Sequence, residues 1–200
     1  DGLVVVVLVT VSLSFLAVYC SSGCAAVGRK ALAGLGAADS AEQVSSVVAL
    51  MNSFNLAGRF VIGFGADLLQ LVPAVGKAAR WLCLMVGSAA SAVVYTVYLN
   101  EFGADGQADP RVWRVASSVL GFAFGAVVSL FPATVRALFN PADVGFYVGV
   151  LYSYCGVLTV VYGKTFEDWT SGVWLTATVG SVVEIIALVF TAWRYWGVSP

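Results

Sequence analysis

Residues 44–67 read VSSVVALMNSFNLAGRFVIGFGAD. The part from Val44 to Ala66 is apolar and long enough to cross a bilayer as a helix, which takes about 20 residues for roughly 30 Å of hydrocarbon. Yet it holds one full charge, Arg59. Asn52, Asn55, Arg59, Gly63 and Asp67 follow one another at intervals of 3, 4, 4 and 4 residues. On an α-helix that spacing puts them on one face. A charge inside a membrane helix costs several kcal/mol, so this face meets protein or water rather than lipid. Two readings stand, and they are compatible. The stripe is a hydrogen-bond seam between helices, or it lines a solute path in which Arg59 contacts an anion.

Working outward, five more apolar stretches of similar length occur at 2–20, 81–99, 115–134, 145–162 and 173–193. The connectors hold nearly all the remaining charge and four of the five prolines, Pro73, Pro110, Pro141 and Pro200. Pro132 falls at the end of the fourth stretch, where a helix end or bend is tolerated. Runs this long satisfy their backbone in lipid only as helices; barrel strands would alternate over about ten residues. The expected fold is therefore an all-α membrane protein, one domain over 1–200 with six transmembrane helices. Trp81, Trp113, Trp169, Trp174, Trp193 and Trp196 all fall at or just beyond a span end, which predicts an aromatic belt at headgroup level.

Composition agrees. Of 200 residues, 60% are hydrophobic and only 10% charged, against about 25% charged in a soluble domain. Mean hydropathy is +0.92. A net charge of −1 without a basic cluster argues against a nucleic-acid partner. With no His, His-based triads and His-ligated haem are excluded. Cys20, Cys24, Cys83 and Cys155 lie in or beside apolar runs and read as small buried side chains. No metal or other cofactor is expected. Five cations on one set of connectors face four on the other, so the positive-inside rule does not orient the chain.

Other polar residues break the apolar rule. Glu184 lies inside the sixth span; it pairs with Arg59, carries a proton or snorkels to an interface. Ser88, Ser91, Tyr95 and Tyr98 form a helical stripe in the third span, the usual sign of helix–helix contact. Gly121 and Gly125 form a GxxxG in the fourth, which suits close helix approach. Asn140-Pro141-Ala142 matches the signature tripeptide of water channels. It occurs once and lies in a connector, where Asn as a cap and Pro at the first helical position make a turn into a helix.

Asn55-Leu56-Ala57-Gly58-Arg59 followed by Gly63-Phe64-Gly65-Ala66-Asp67 resembles the major facilitator superfamily of transporters, in its nodulin-like and monocarboxylate-like branches. Gly63, Ala66 and Asp67, with Gly76, Lys77 and Arg80 beyond, are similar to that superfamily's cytoplasmic G-x-L-A-D-R-x-G-R-K loop. Here Gly65 and Leu68 replace the Leu and first Arg of the pattern, and the spacer is longer. Leu130-Phe131-Pro132 through Gly145 and Gly149 resembles the penultimate hairpin of such a transporter's carboxy-terminal half. The resemblance implies a six-helix half built as three plus three helices related by inversion; Gly63…Asp67 and Gly163…Glu167 end the second and fifth spans on opposite faces, as inversion requires. It further implies alternating-access transport of a small solute, with an amino-terminal half of the same transporter and the bilayer as partners. Asp1 at the start fits a piece of a longer, twelve-helix chain. An organic anion or amino acid is the favoured solute, because Arg59 can meet a carboxylate. On this reading Asn52, Asn55, Arg59 and Glu184 line the path or an inter-helix network, and Gly63, Asp67, Gly76, Lys77 and Arg80 form a conformational-switch loop. The chain is not expected to be an enzyme. The alternative is a non-transporting six-helix scaffold or assembly subunit.

Overall fold

The computed structural model describes residues 2–32, 37–104, 109–165 and 171–195, and every regular element among them is helical. The first rod is α1 (Gly2–Val18), a π-helical turn (Tyr19–Gly23) and α2 (Cys24–Ala31), joined without a break. In the π turn the Cys24 N–H donates to the Tyr19 carbonyl, one residue further back than in an α-helix. Then come α3 (Ala37–Gln70), α4 (Ala79–Ala104), α5 (Pro110–Leu138), α6 (Val144–Thr165) and α7 (Ser171–Tyr195). Each apolar stretch of the sequence falls on one rod. The helices outrun the stretches because intrahelical hydrogen bonding does not stop where hydrocarbon does.

Among the described residues, four helices are long and apolar enough to cross a membrane, over Asp39–Gln70, Ala79–Glu101, Pro110–Leu138 and Trp174–Trp193. The expected first and fifth spans lie on α1 and α6, whose described apolar parts, Val7–Val18 and Val144–Val157, are shorter.

Local chemistry sets the helix starts. Asp109 caps α5, its Oδ1 accepting the Arg111 N–H at 2.7 Å, with Pro110 in the first helical position. Asn140 Oδ1 accepts the Ala142 N–H at 3.2 Å, so Asn140-Pro141-Ala142 is a turn leading into α6. Before α4 the chain turns at Gly76, whose φ of 44° lies in the left-handed region that glycine occupies without strain.

α5 is the central helix, with 61% of its apolar window buried against 17% for α3. Numbering the rods one to six, α1 packs on α6 and α7, α5 on α3 and α4, α4 on α7, and α1 on α5. Exchanging the first three rods for the last three maps these pairs onto one another, whereas the α3–α4 packing has no comparable α6–α7 counterpart among the described residues. The core is dominated by Leu13, Leu16, Leu84, Leu120 and Phe131. On the outside, Phe60 and Phe64 of α3, Phe146 of α6 and Phe190 of α7 stand exposed.

The aromatic-belt expectation fails for three tryptophans. Trp81, Trp113 and Trp174 are buried in the bundle, whereas Trp193 is exposed; Trp169 and Trp196 lie outside the described residues. A belt indole keeps its N–H wet, but Trp113 donates its Nε1–H to the Cys24 carbonyl at 3.2 Å. Gly28 makes room for that ring, which a Cβ at position 28 would strike.

Candidate functional site

The polar stripe of α3 is anchored by glycine. A Cβ on Gly121 would collide with the Met51 carbonyl oxygen, one on Gly125 with that of Asn55, and one on Gly58 with that of Phe122. Two helix backbones therefore touch, the close approach that small residues permit. A Cβ on Gly125 would also come within 3.0 Å of the Arg59 nitrogen. The backbone that carries Asn55 and Arg59 is thus seated directly on the central helix.

From that base the side chains reach outward. Arg59 is exposed and donates its Nε–H to Asn55 Oδ1 at 3.1 Å. This bond occupies Nε and leaves the two terminal amino groups without a hydrogen-bond partner among the described residues. Asn52 is exposed, and Asn55 is half-buried. Asp67 is exposed and accepts from Gln70 Nε2 at 3.5 Å. Gly63 faces Ser129 of α5, whose Oγ would be 3.6 Å from a Cβ there. The Lys77 side chain and Glu167 lie outside what is described. Arg80 is half-buried at the start of α4 and lines a cavity with Arg136. The structure thus brings Arg59 to Asn55 and Asp67 to Gln70.

Glu184 has other surroundings than Arg59. It is fully buried on α7, and its charge acts on Tyr95 of α4. Of its three readings, snorkelling to an interface does not describe this position.

α6 adds a group that the sequence does not reveal. Pro132 has no N–H, so the Val128 carbonyl one turn earlier loses its intrahelical donor. Tyr152 of α6 donates its hydroxyl to that carbonyl at 3.4 Å, and its ring meets Phe131 edge-on at 5.4 Å. Arg59 lies within Coulombic reach of the same tyrosine. Asn55, Arg59 and Tyr152 therefore border one region on α3 and α6, both of which rest on α5 or α1.

A second polar cluster is wholly internal. The Tyr19 hydroxyl lies 2.7 Å from both the Tyr98 hydroxyl and Ser117 Oγ. Cys24 Sγ donates to Ser117 Oγ at 3.5 Å. The Tyr98 ring packs against Trp174 at a tilt, with ring centroids 4.7 Å apart and 48° between the planes. The network ties the π turn to α4, α5 and α7. π turns recur at functional positions; here the fully buried Tyr19 hydroxyl makes the turn part of the packing between helices. Tyr98 belongs to the polar stripe visible in the third apolar stretch, and Ser88 and Ser91 of that stripe return their hydroxyls to the Leu84 and Gly87 carbonyls. Among the described residues, no three His, Cys, Asp or Glu stand together as a metal site.

Set against family models, curated proteins and solved structures, the chain matches none. Among the described residues, fold and site together define an all-helical protein with four helices long and apolar enough to span a membrane, compatible with a membrane protein.

Proposed function

We propose that the chain is the carboxy-terminal half of a major-facilitator-type secondary transporter and moves a small anionic or zwitterionic solute by alternating access. The observation that carries this reading is the Asn55–Arg59 pair. It is a cation deep within an apolar helix, outward-facing, and held by its neighbour rather than by a carboxylate. Arg59 lies eight residues before Asp67, about 12 Å along the axis at 1.5 Å per residue. Lipid is a poor neighbour for it at that depth, so this face calls for a second protein body and a wet cavity. The three-plus-three exchange in helix pairing supports the same architecture. So does α6, where Gly145, Gly149 and Gly156 have nothing within 4 Å of a Cβ, as a surface awaiting another helix would. In this scheme Arg59 binds the solute carboxylate through its terminal amino groups, Asn55 holds the fork in place, and rocking of the halves changes access.

The test is uptake of a panel of amino acids and monocarboxylates, per correctly folded molecule, by the protein expressed from its complete reading frame. Arg59→Ala should abolish uptake. Arg59→Lys, which keeps charge but loses the planar fork, should retain a fraction. Wild-type uptake by Arg59→Ala would end the solute-path reading and leave the scaffold.

A further inference from the structure

Arg80 and Arg136 share a cavity of about 780 Å³, whose remaining walls are Ser129, Pro132, Ala133, Ala137 and Val144. No carboxylate lines it. Neither guanidinium has a hydrogen-bond or ion-pair partner among the described residues. The surroundings raise the positive potential further. Arg80 sits in the first turn of α4, which carries no acidic residue, at the end of a helix that already bears partial positive charge. A cation there is unfavourable without a counter-charge. Ser129 gives its hydroxyl proton to the Ala126 carbonyl at 2.9 Å and is not a competing donor. Pro132 has no N–H, so the two arginine forks supply the donors. Arg80 stands one residue inside the apolar span of α4, and Arg136 two residues before the end of that of α5. With α4 and α5 placed across a bilayer, as the proposed function requires, the cavity lies level with the membrane–water boundary.

The geometry points to a phosphate-binding site at this boundary, in which Arg80 and Arg136 together grip one phosphoryl group. A phosphate presents several acceptor oxygens, and two planar forks can each take a pair. Two sources share that chemistry, the headgroup of an anionic phospholipid and a free phosphate from the aqueous side. Depth in the interface favours the lipid.

Binding to the full chain in detergent is measured by native mass spectrometry with phosphatidylglycerol, phosphatidylcholine and inorganic phosphate as separate probes. Wild-type protein should retain phosphatidylglycerol over phosphatidylcholine. R80Q combined with R136Q should weaken that retention by at least about tenfold, the loss expected for one charge-assisted pair. R111Q with R114Q, at the other end of α5, should leave it unchanged. Displacement of the lipid by millimolar inorganic phosphate, or phosphate binding without lipid selectivity, would identify the free anion as ligand and keep the site. R80K with R136K guards against unfolding, because both charges remain; it should lose less than the glutamine pair. Unchanged retention in R80Q/R136Q would overturn the proposal. So would equal loss in R111Q/R114Q, or equal loss in the lysine pair with a lowered melting temperature.

Discussion

Gly125→Ala should measurably loosen the bundle, and the structure sets the size of the effect. The new Cβ would overlap the Asn55 carbonyl oxygen and lie 2.9 Å from its carbon. An ordinary carbon–oxygen contact between helices is about 3.3–3.6 Å, so α3 must retreat from α5 by roughly 1 Å. The obstacle is backbone, which cannot swing aside as a side-chain tip does. Forcing extra atoms into a packed contact costs about 1–3 kcal/mol. Alanine also favours the helix over glycine by up to about 1 kcal/mol, which blurs a single measurement. Gly65→Ala removes the ambiguity, because a Cβ at Gly65 meets nothing within 4 Å. The propensity gain is common to both variants and cancels in their difference. Reversible unfolding in mixed micelles should therefore place Gly125→Ala about 1–3 kcal/mol below Gly65→Ala. The retreat also carries Arg59 with it, so in the proposed transporter uptake should fall in Gly125→Ala and hold in Gly65→Ala. Equal stability of the two variants would refute the direct contact of α3 with α5.

Tyr152→Phe leaves the Val128 carbonyl without its donor and should cost about 1–3 kcal/mol; Pro132→Ala, which restores an N–H to α5, should remove most of that cost, and a double-mutant cycle by micelle unfolding reads the coupling. Tyr19→Phe breaks the hydroxyl node shared with Tyr98 and Ser117, for an expected loss of about 1–3 kcal/mol in the same assay. Asp67→Asn acts on an exposed carboxylate that accepts a long hydrogen bond from Gln70, so the melting temperature should hardly move. In the proposed transporter it should instead shift the balance of inward- and outward-open states, read by cysteine accessibility; unchanged populations would sever Asp67 from the switch loop.

What a sequence can reveal here is axial, and what it hides is azimuthal. The apolar runs place the helices along the chain, and the 3-4-4-4 spacing from Asn52 to Asp67 places five residues on one face without saying which neighbour that face meets. Trp113 and Trp174 show the loss most clearly. Their position at span ends is plain in the sequence, but whether an indole turns to lipid or to the core depends on helix rotation, set here by Gly28 and by the aromatic contacts of Tyr98. The Gly121-x-x-x-Gly125 pair announces close approach, yet its partners on α3 follow only from packing between distant segments. Tyr152 was invisible for the same reason, since nothing local links it to a carbonyl 24 residues earlier. Glu184 is anomalous in the sequence, but its full burial within electrostatic reach of Tyr95 follows only from packing.

The π turn at Tyr19–Gly23 has a consequence for which changes the first rod can bear. One added residue within a turn is a phase slip, worth about 100° of rotation when α geometry resumes. Before the slip, α1 presents its inward face to α6 and α7; after it, α2 presents its own to α3 and α5. Substituting a residue in this segment alters one side chain. Deleting one lets the remaining residues close the same turn as regular α-helix, so α2 keeps nearly the same rotation, with the Cys24 carbonyl still toward Trp113 and Gly28 still beneath its ring. The segment should therefore tolerate loss of one residue better than the regular helices on either side of it, where a deletion turns everything beyond by about 100°.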